Sequence, residues 1–317
     1  MLDVEDLHTV YYQGGHGAVP AVRGIDVFIR EGSATALVGE SGSGKTTAAL
    51  SVMRLVRKPI GDVVRGRIRF NGTDLLTLND GDMRQVLLHE IGYVPQDPTT
   101  ALDPLFTVRT QIAEACPGKS RAETDDLIVN VLERLGVLDA RQRLKSYPHE
   151  FSGGMRQRVA IAVALVKEPR LLIADEPTTA LDVTTQLGIL RLLDELRRER
   201  KLALLFVTHD LAVARLVCQD VAVMYGGIVA EAGPIADVMA APKHPYTRAL
   251  LDADERDARP HTRLRAIPGQ PPPLSALPRG CPFAPRCPMA IEACTRAIPP
   301  IEVHGDVKVR CIRAGEM

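Results

Sequence analysis

Eight residues, Gly39-Glu40-Ser41-Gly42-Ser43-Gly44-Lys45-Thr46, constrain this chain more than any other stretch. They follow the apolar run Thr35 to Val38 and open a helix-compatible run from Lys45 to Val56. Strand, glycine-rich loop and helix in that order are the context in which such a pattern is a P-loop. The glycines let backbone N–H groups close around phosphate oxygens, and the helix N-terminus adds positive potential. Gly39, Ser41, Gly42, Ser43 and Gly44 are therefore expected to cradle phosphates, Lys45 to reach the β- and γ-phosphates, and the Thr46 hydroxyl to ligate Mg²⁺, with Thr47 beside it. The alternative is a glycine-rich turn that binds nothing.

A strand delivering such a loop needs a parallel sheet around it, and the chain supplies one. Short β-branched runs alternate with longer amphipathic stretches up to about Ala232, an α/β pattern. Strands are expected at Leu2 to Val10, Val22 to Ile29, Thr35 to Val38, Arg67 to Phe70, Ile91 to Val94, Leu171 to Ala174, Leu202 to Val207 and Val221 to Tyr225. Between Phe106 and Glu150 the strand signal disappears, and Ala122 to Leu135 carries apolar residues at helical spacing, which predicts a helical insert. A helical piece around Tyr246 to Leu251 precedes Ile267-Pro268-Gly269-Gln270-Pro271-Pro272-Pro273, which cannot continue a helix.

Leu171-Leu172-Ile173-Ala174-Asp175-Glu176-Pro177 brings two adjacent carboxylates to the C-terminal end of an apolar strand, the edge where open parallel sheets bind ligands. Asp175 fits a role in holding Mg²⁺ through water, and Glu176 is placed to polarise an attacking water. Two acids that start a turn, or cap the helix after Pro177, are the bland alternative.

Phe151-Ser152-Gly153-Gly154-Met155-Arg156-Gln157-Arg158 opens another helix-compatible run. Ser152 and the amides of Gly153 and Gly154 make a second anion site there, or an ordinary helix cap. This stretch resembles the signature motif of ABC transporter ATPases, with Phe151 for the commoner leucine and Met155 for glutamine; neither change removes the Ser-Gly-Gly donors. The remaining motifs of that family appear along the chain in the expected order. Gln96, after Ile91-Gly92-Tyr93-Val94-Pro95, resembles the Q-loop glutamine that touches Mg²⁺ or water; Ala180-Leu181-Asp182 resembles the D-loop; His209 resembles the switch histidine at the γ-phosphate. Tyr11 aligns with the aromatic that stacks on adenine, Tyr12 being the alternate and packing in the core the bland reading. The resemblance implies a P-loop NTPase ABC ATPase core with an N-terminal antiparallel β part and a helical subdomain at about 105–165. It also implies ATP and Mg²⁺ as ligands, catalytic roles for Glu176, His209 and Gln96, and ATP sites completed by Ser152, Gly153, Gly154 and Asp182 of an opposing subunit. The helical insert would then form the groove for a membrane subunit, although a self-contained packing subdomain satisfies the sequence equally.

The tail narrows the branch. His244-Pro245-Tyr246-Thr247-Arg248-Ala249-Leu250-Leu251 and Ile267-Pro268-Gly269, followed by Gly280-Cys281-Pro282-Phe283-Ala284-Pro285-Arg286-Cys287, resemble the C-terminal extension of oligopeptide/dipeptide importer ATPases. Residues 1–240 then read as the ATPase domain and 241–317 as a small Pro/Cys-rich extension. Four of six cysteines fall in the last 37 residues, spaced C-x5-C-x6-C-x16-C, and 11 of 23 prolines lie between Pro260 and Pro300. Structural zinc sites favour shorter knuckles, whereas wide spacing suits a larger cube. Some members of the branch carry a [4Fe-4S] cluster, so Cys281, Cys287, Cys294 and Cys311 are expected to hold one, with an empty or zinc-filled cluster as the alternative. Arg279, Arg286 and Arg310 are expected to offset its charge. Because the tail is far in sequence from every nucleotide motif, it is expected to be structural or regulatory.

Composition removes other classes. The 39 basic and 39 acidic side chains cancel, and with no Trp and 4% aromatics the chain lacks the basic footprint and stacking platforms of a nucleic-acid binder. The longest apolar run, Val159 to Val166, is far below the ~20 residues of a membrane span. The acidic start Met1-Leu2-Asp3-Val4-Glu5-Asp6 has no signal-peptide character, which predicts a cytoplasmic protein without disulfides. The resemblance thus implies a peripheral subunit on the cytoplasmic face of the membrane that hydrolyses ATP to drive import of di- or oligopeptides. Expected partners are a second ATPase subunit, a homologous one rather than a copy, two permease subunits and an extracytoplasmic binding protein. Nickel or another small solute is the alternative cargo, and a soluble ATPase acting on DNA or ribosomes the alternative class.

Overall fold

The computed structural model describes all residues except 14–16, 117, 180, 254–266 and 317. Its strands in chain order are β1 (Leu2–Gln13), β2 (Gly17–Ile29), β3 (Ala34–Val38), β4 (Gly61–Phe70), β5 (Thr73–Asp74), β6 (Ile91–Val94), β7 (Leu171–Asp175), β8 (Ala203–Thr208), β9 (Asp220–Tyr225), β10 (Ile228–Pro234), β11 (Glu302–His304) and β12 (Val307–Val309). Its helices are α1 (Lys45–Val52), α2 (Asp80–His89), α3 (Pro98–Ala101), α4 (Val108–Ala113), α5 (Arg121–Arg134), α6 (Ala140–Arg143), α7 (Gly153–Leu165), α8 (Val183–Arg200), α9 (Leu211–Arg215), α10 (Ile235–Ala240), α11 (Pro245–Asp252) and α12 (Ala293–Arg296).

All eight expected strands are present, and β4 starts six residues before the expected Arg67. The helix after the P-loop is shorter than expected: it ends at Val52, because Met53 leaves helical geometry and Arg54 takes a left-handed φ of 53°. Three strands beyond Tyr225 have no counterpart among the sequence expectations. Glu231, Gly233 and Pro234 break the apolar signal of β10, and β11 and β12 have three residues each.

The chain divides into two compact units, one of Met1–Ile29, Ala34–Thr77 and Val207–Met317, the other of Arg30–Ser33 and Leu78–Phe206. In the first, β2-β1-β4-β5 form an antiparallel sheet, the N-terminal β part that the family resemblance implies. A second set runs β11-β12-β10-β9-β3. There β3 lies parallel to β9, with Thr35 opposite Asp220 and Val38 opposite Val223, and the other pairs are antiparallel. Every residue of β3 is buried, which is why it reads as a continuous apolar run and not as an alternation. The tail returns to this sheet: Val309 and Lys308 of β12 stand opposite Glu231 and Ala232 of β10.

In the second unit β6 runs parallel to β7, with Ile91 opposite Leu171 and Val94 opposite Ala174, and β8 lies next to β7. The expected helical insert holds α4, α5 and α6. A capping box at Ser120 and Glu123 starts α5. The apolar run from Val159 is the buried side of α7, with Val159, Ile161 and Ala162 fully enclosed. The charged stretch from Arg197 to Lys201 is the end of α8, where Arg197 and Arg198 pair with Asp194 and Arg200 with Glu168. Three arginines in the last turn complement the helix dipole. Among the described residues no helix is long and apolar enough to cross a membrane.

Candidate nucleotide site

In the first unit β3 feeds the P-loop and α1 receives it. Gly44, the N-cap of α1, has φ 103°, and a Cβ there would lie 2.4 Å from the Ala21 carbonyl oxygen. A Cβ on Gly39 would lie 2.2 Å from the Met224 carbonyl oxygen. Both positions exclude every other residue type, because the loop's inner side packs against the backbone of β2 and β9. Ser41 and Gly42 are exposed at the outer side, while Ser43 and Lys45 are buried. Lys45 Nζ donates to the carbonyl oxygens of Gly39 at 2.7 Å and Glu40 at 3.0 Å, which folds the side chain back over the loop. Thr46 and Thr47 are half-buried in the first turn of α1. The structure brings Tyr11 to this turn: Thr47 Oγ1 donates to Tyr11 Oη at 3.5 Å, whereas Tyr12 on the other face of β1 is exposed. His209 follows β8 and is exposed, and the next residue, Asp210, caps α9 through the Val213 amide.

The tail, far from the nucleotide motifs in sequence, touches the P-loop in space. Arg286 grips both carboxylate oxygens of Glu40, inside the P-loop, with Nη1 at 2.6 Å and Nη2 at 3.1 Å. The backbone N–H of Glu40 donates to Tyr246 Oη at 2.8 Å. These contacts join residues more than 200 positions apart, so no local pattern announces them. Glu40 occupies a position that the P-loop motif leaves unspecified.

The second unit carries the remaining residues. Asp175 ends β7 fully buried, and its negative charge adds to burial in pushing the Tyr93 hydroxyl up to about 12. Glu176 follows with a left-handed φ of 47°, and Thr179 Oγ1 donates to its carboxylate at 3.0 Å. Thr179 was not among the expected residues; its spacing of three from Glu176 was the available signal. Gln96 is exposed just after β6. The hydroxyl, carboxamide and carboxylate oxygens of Thr46, Gln96 and Asp175 are the donor types a hard cation such as Mg²⁺ takes.

Ser152 is the N-cap of α7, its hydroxyl accepting from the Met155 amide at 3.4 Å. The cap and the anion site are therefore compatible: Ser152 and Gly153 are exposed, and nothing lies within 4 Å of a Cβ built on Gly153. A Cβ on Gly154 would come within 3.2 Å of Leu181, so the signature helix and the residues of the D-loop meet inside this unit. Ala180 of that motif lies outside the described residues. Asp182 caps α8, and the Thr185 amide it accepts from holds its carboxyl below the usual range.

The four tail cysteines, 281, 287, 294 and 311, line one small cavity with His244, Phe283, Met289 and Arg313. Burial pushes Cys281 up to about 11 and raises Cys287 and Cys311 as well. The Arg313 amide donates to the Cys311 sulfur at 3.4 Å. Among the described residues, however, no group of three or more His, Cys, Asp or Glu side chains is arranged to hold a metal ion. The thiols share a cavity without forming a closed coordination sphere. Two of the three expected arginines turn elsewhere: Arg286 pairs with Glu40 and Arg310 reaches the Gly24 carbonyl at 3.4 Å, while Arg313 lines the cavity.

Comparison with known proteins agrees with these motifs. Residues 22–179 match the ABC transporter family and residues 230–294 the oligopeptide/dipeptide transporter C-terminal region. The oligopeptide transport ATP-binding protein OppD of Salmonella typhimurium is 44% identical over 98% of this chain and 92% of its own length. The dipeptide transport ATP-binding protein DppD of Bacillus subtilis is 43% identical over 96% of this chain and 92% of its own. A bacterial ABC transporter cassette solved as a dimer superposes with a TM-score of 0.67 at 27% identity, covering 74% of this chain and 99% of that one. The chain therefore belongs to the ATP-binding proteins of ABC transporters, in the branch that carries the oligopeptide/dipeptide transporter C-terminal region.

Proposed function

We propose that this ABC ATPase is the energy-coupling subunit of an importer for di- or oligopeptides, peripheral on the cytoplasmic face of the membrane. The observation that carries the reading is one chain holding both half-sites: a P-loop whose glycines are enforced by backbone contact, and a signature helix whose first turn is open to solvent. A nucleotide held by one subunit's P-loop would be covered by the open helix start of another. The names of the relatives and the C-terminal region support the peptide cargo. The proposed partners are a homologous ATPase subunit, two permeases and an extracytoplasmic binding protein. Residues 1–240 are the proposed ATPase domain and 241–317 the proposed extension.

In this reading Gly39, Ser41, Gly42, Ser43, Gly44, Thr46 and Thr47 bind the phosphates, Lys45 swings from the loop carbonyls to the β- and γ-phosphates, and Tyr11 stacks on the base. Thr46, Gln96 and Asp175 would hold Mg²⁺, which when bound neutralises charge on the phosphate oxygens. Glu176, fixed by Thr179, orients the attacking water and takes its proton, and His209 donates to the γ-phosphate. Ser152, Gly153, Gly154 and Asp182 serve the partner's nucleotide. Positioning and charge stabilisation carry most of the catalysis.

Cys281, Cys287, Cys294 and Cys311 are proposed to hold a [4Fe-4S] cluster, supported by their number, their shared cavity and an amide donated to sulfur. No step of hydrolysis runs through it. Anaerobically purified protein should be brown, with iron and sulfide near equal; a colourless protein with stoichiometric zinc overturns this part. The transport reading is tested by pull-down from membranes and uptake of labelled peptide by the reconstituted complex. Uptake of nickel instead of peptide reassigns the cargo, and recovery with nucleic acid or ribosomes and no permease rejects the transporter.

A further inference from the structure

We propose that Arg286 and Tyr246 are positioning residues for the P-loop, so that the C-terminal segment sets how well the phosphate cradle is formed. The inference rests on the reading that the P-loop binds nucleotide, and it deepens that reading.

Every polar group of Glu40 is engaged. Its N–H donates to Tyr246, its carboxylate accepts the Arg286 fork, and its carbonyl accepts from Lys45 and from the Ser43 amide at 3.2 Å. The second residue of the loop is thereby fixed in both side chain and backbone, and with it the direction of the amides that follow. The clamp is rigid on the tail side as well. The Arg286 side chain is 4% exposed, and its remaining bonds go to Tyr225 Oη at 3.1 Å, Pro268 O at 2.9 Å and Ile267 O at 3.4 Å. A planar guanidinium can satisfy these directions together, whereas an ammonium cannot reproduce the fork. Tyr246 is fully buried with its ring 4.6 Å from Tyr225 and 5.3 Å from Phe283, and its N–H donates to His244 Nδ1. Neither group reaches a phosphate in this role. They hold the loop in its binding shape before the ligand arrives, and preorganisation of that kind appears in affinity.

The test measures the Kd of the purified full chain for a fluorescent methylanthraniloyl-ATP, beside the thermal unfolding midpoint. Arg286→Met should weaken binding about tenfold or more, since one partner of a buried charge pair is lost, and Arg286→Lys should restore part of it. Glu40→Gln should add little on the Arg286→Met background, because both remove the same link. Tyr246→Phe, which keeps the ring and deletes the acceptor for the Glu40 amide, should weaken binding roughly three- to tenfold. Lys45→Ala separates the two readings. If Lys45→Ala binds like wild type, the nucleotide reading falls. If Lys45→Ala loses binding while Arg286→Met and Tyr246→Phe keep the wild-type Kd, the positioning proposal is overturned. Additive effects of Arg286→Met and Glu40→Gln also overturn it. Should Arg286→Met fail to fold, Tyr246→Phe decides alone.

Discussion

The two glycine-bearing helix starts of this chain, the P-loop and the turn before α7, are built in opposite ways. The P-loop is closed from behind: Gly39 and Gly44 touch backbone carbonyls, and Glu40 is held by the tail through Arg286 and Tyr246. The start of α7 carries its own Ser152 cap and has Leu181 beside Gly154, while Gly153 faces open space. The same local geometry, amides at a helix N-terminus, is thus braced from behind in one turn and left open in the other. The support around a glycine, more than the glycine itself, distinguishes the two.

The largest expected effect sharpens what lies downstream of both turns. Glu176→Gln should cut ATP hydrolysis by the reconstituted transporter about a hundredfold or more, with ATP binding kept; turnover near wild type would remove Glu176 from catalysis. A matched pair of alanines then attacks the comparison directly. Gly39→Ala forces a Cβ to 2.2 Å from the Met224 carbonyl and should cost roughly 2–3 kcal/mol in denaturant unfolding, together with nucleotide affinity. Gly153→Ala should leave stability within about 1 kcal/mol and lower only the hydrolysis that requires the assembled dimer. Equal destabilisation by the two would mean the contrast in support is wrong.

The tail behind the P-loop also has a pH signature that α7 lacks. His244 is buried, and burial pushes its pKa down to about 4, so the folded chain holds it neutral while the unfolded chain protonates it below the ordinary histidine value of 6.5. Its contribution is present above 6.5, declines as pH falls and is fully lost below about 4. At pH 5 the loss should be about 2 kcal/mol, read as the difference in urea stability between wild type and His244→Asn at pH 7 and pH 5. The smallest effect belongs to the open turn: Ser152→Ala should cost about 0.5–1 kcal/mol, the value of a single cap.

Much of the fold was legible because it is local. The apolar runs of β3, β7 and β8 announce buried strands, and Ser120 with Glu123 announces the start of α5. The nucleotide motifs were legible for the same reason, since each is a few consecutive residues at a strand or helix end. The return of β12 to β10 was not, because three-residue strands carry no periodicity. Nor was the distribution of the arginines beside the cysteines, since proximity in sequence to a thiol did not say which way each side chain turns. Thr179 was legible in spacing and overlooked, because a threonine after a carboxylate pair is more often just a turn residue.

By itself, the sequence determined the class of chemistry: a phosphate cradle, a pair of carboxylates, a second serine-glycine turn and their order along one α/β chain. Tertiary structure alone decided that the C-terminal segment belongs to the cradle's support, through an arginine and a tyrosine more than 200 residues from the glutamate they hold. The reason is physical. Motif chemistry depends on backbone geometry set by neighbouring residues, whereas a clamp depends on which distant side chains are buried together, and that is settled only when the sheet has formed.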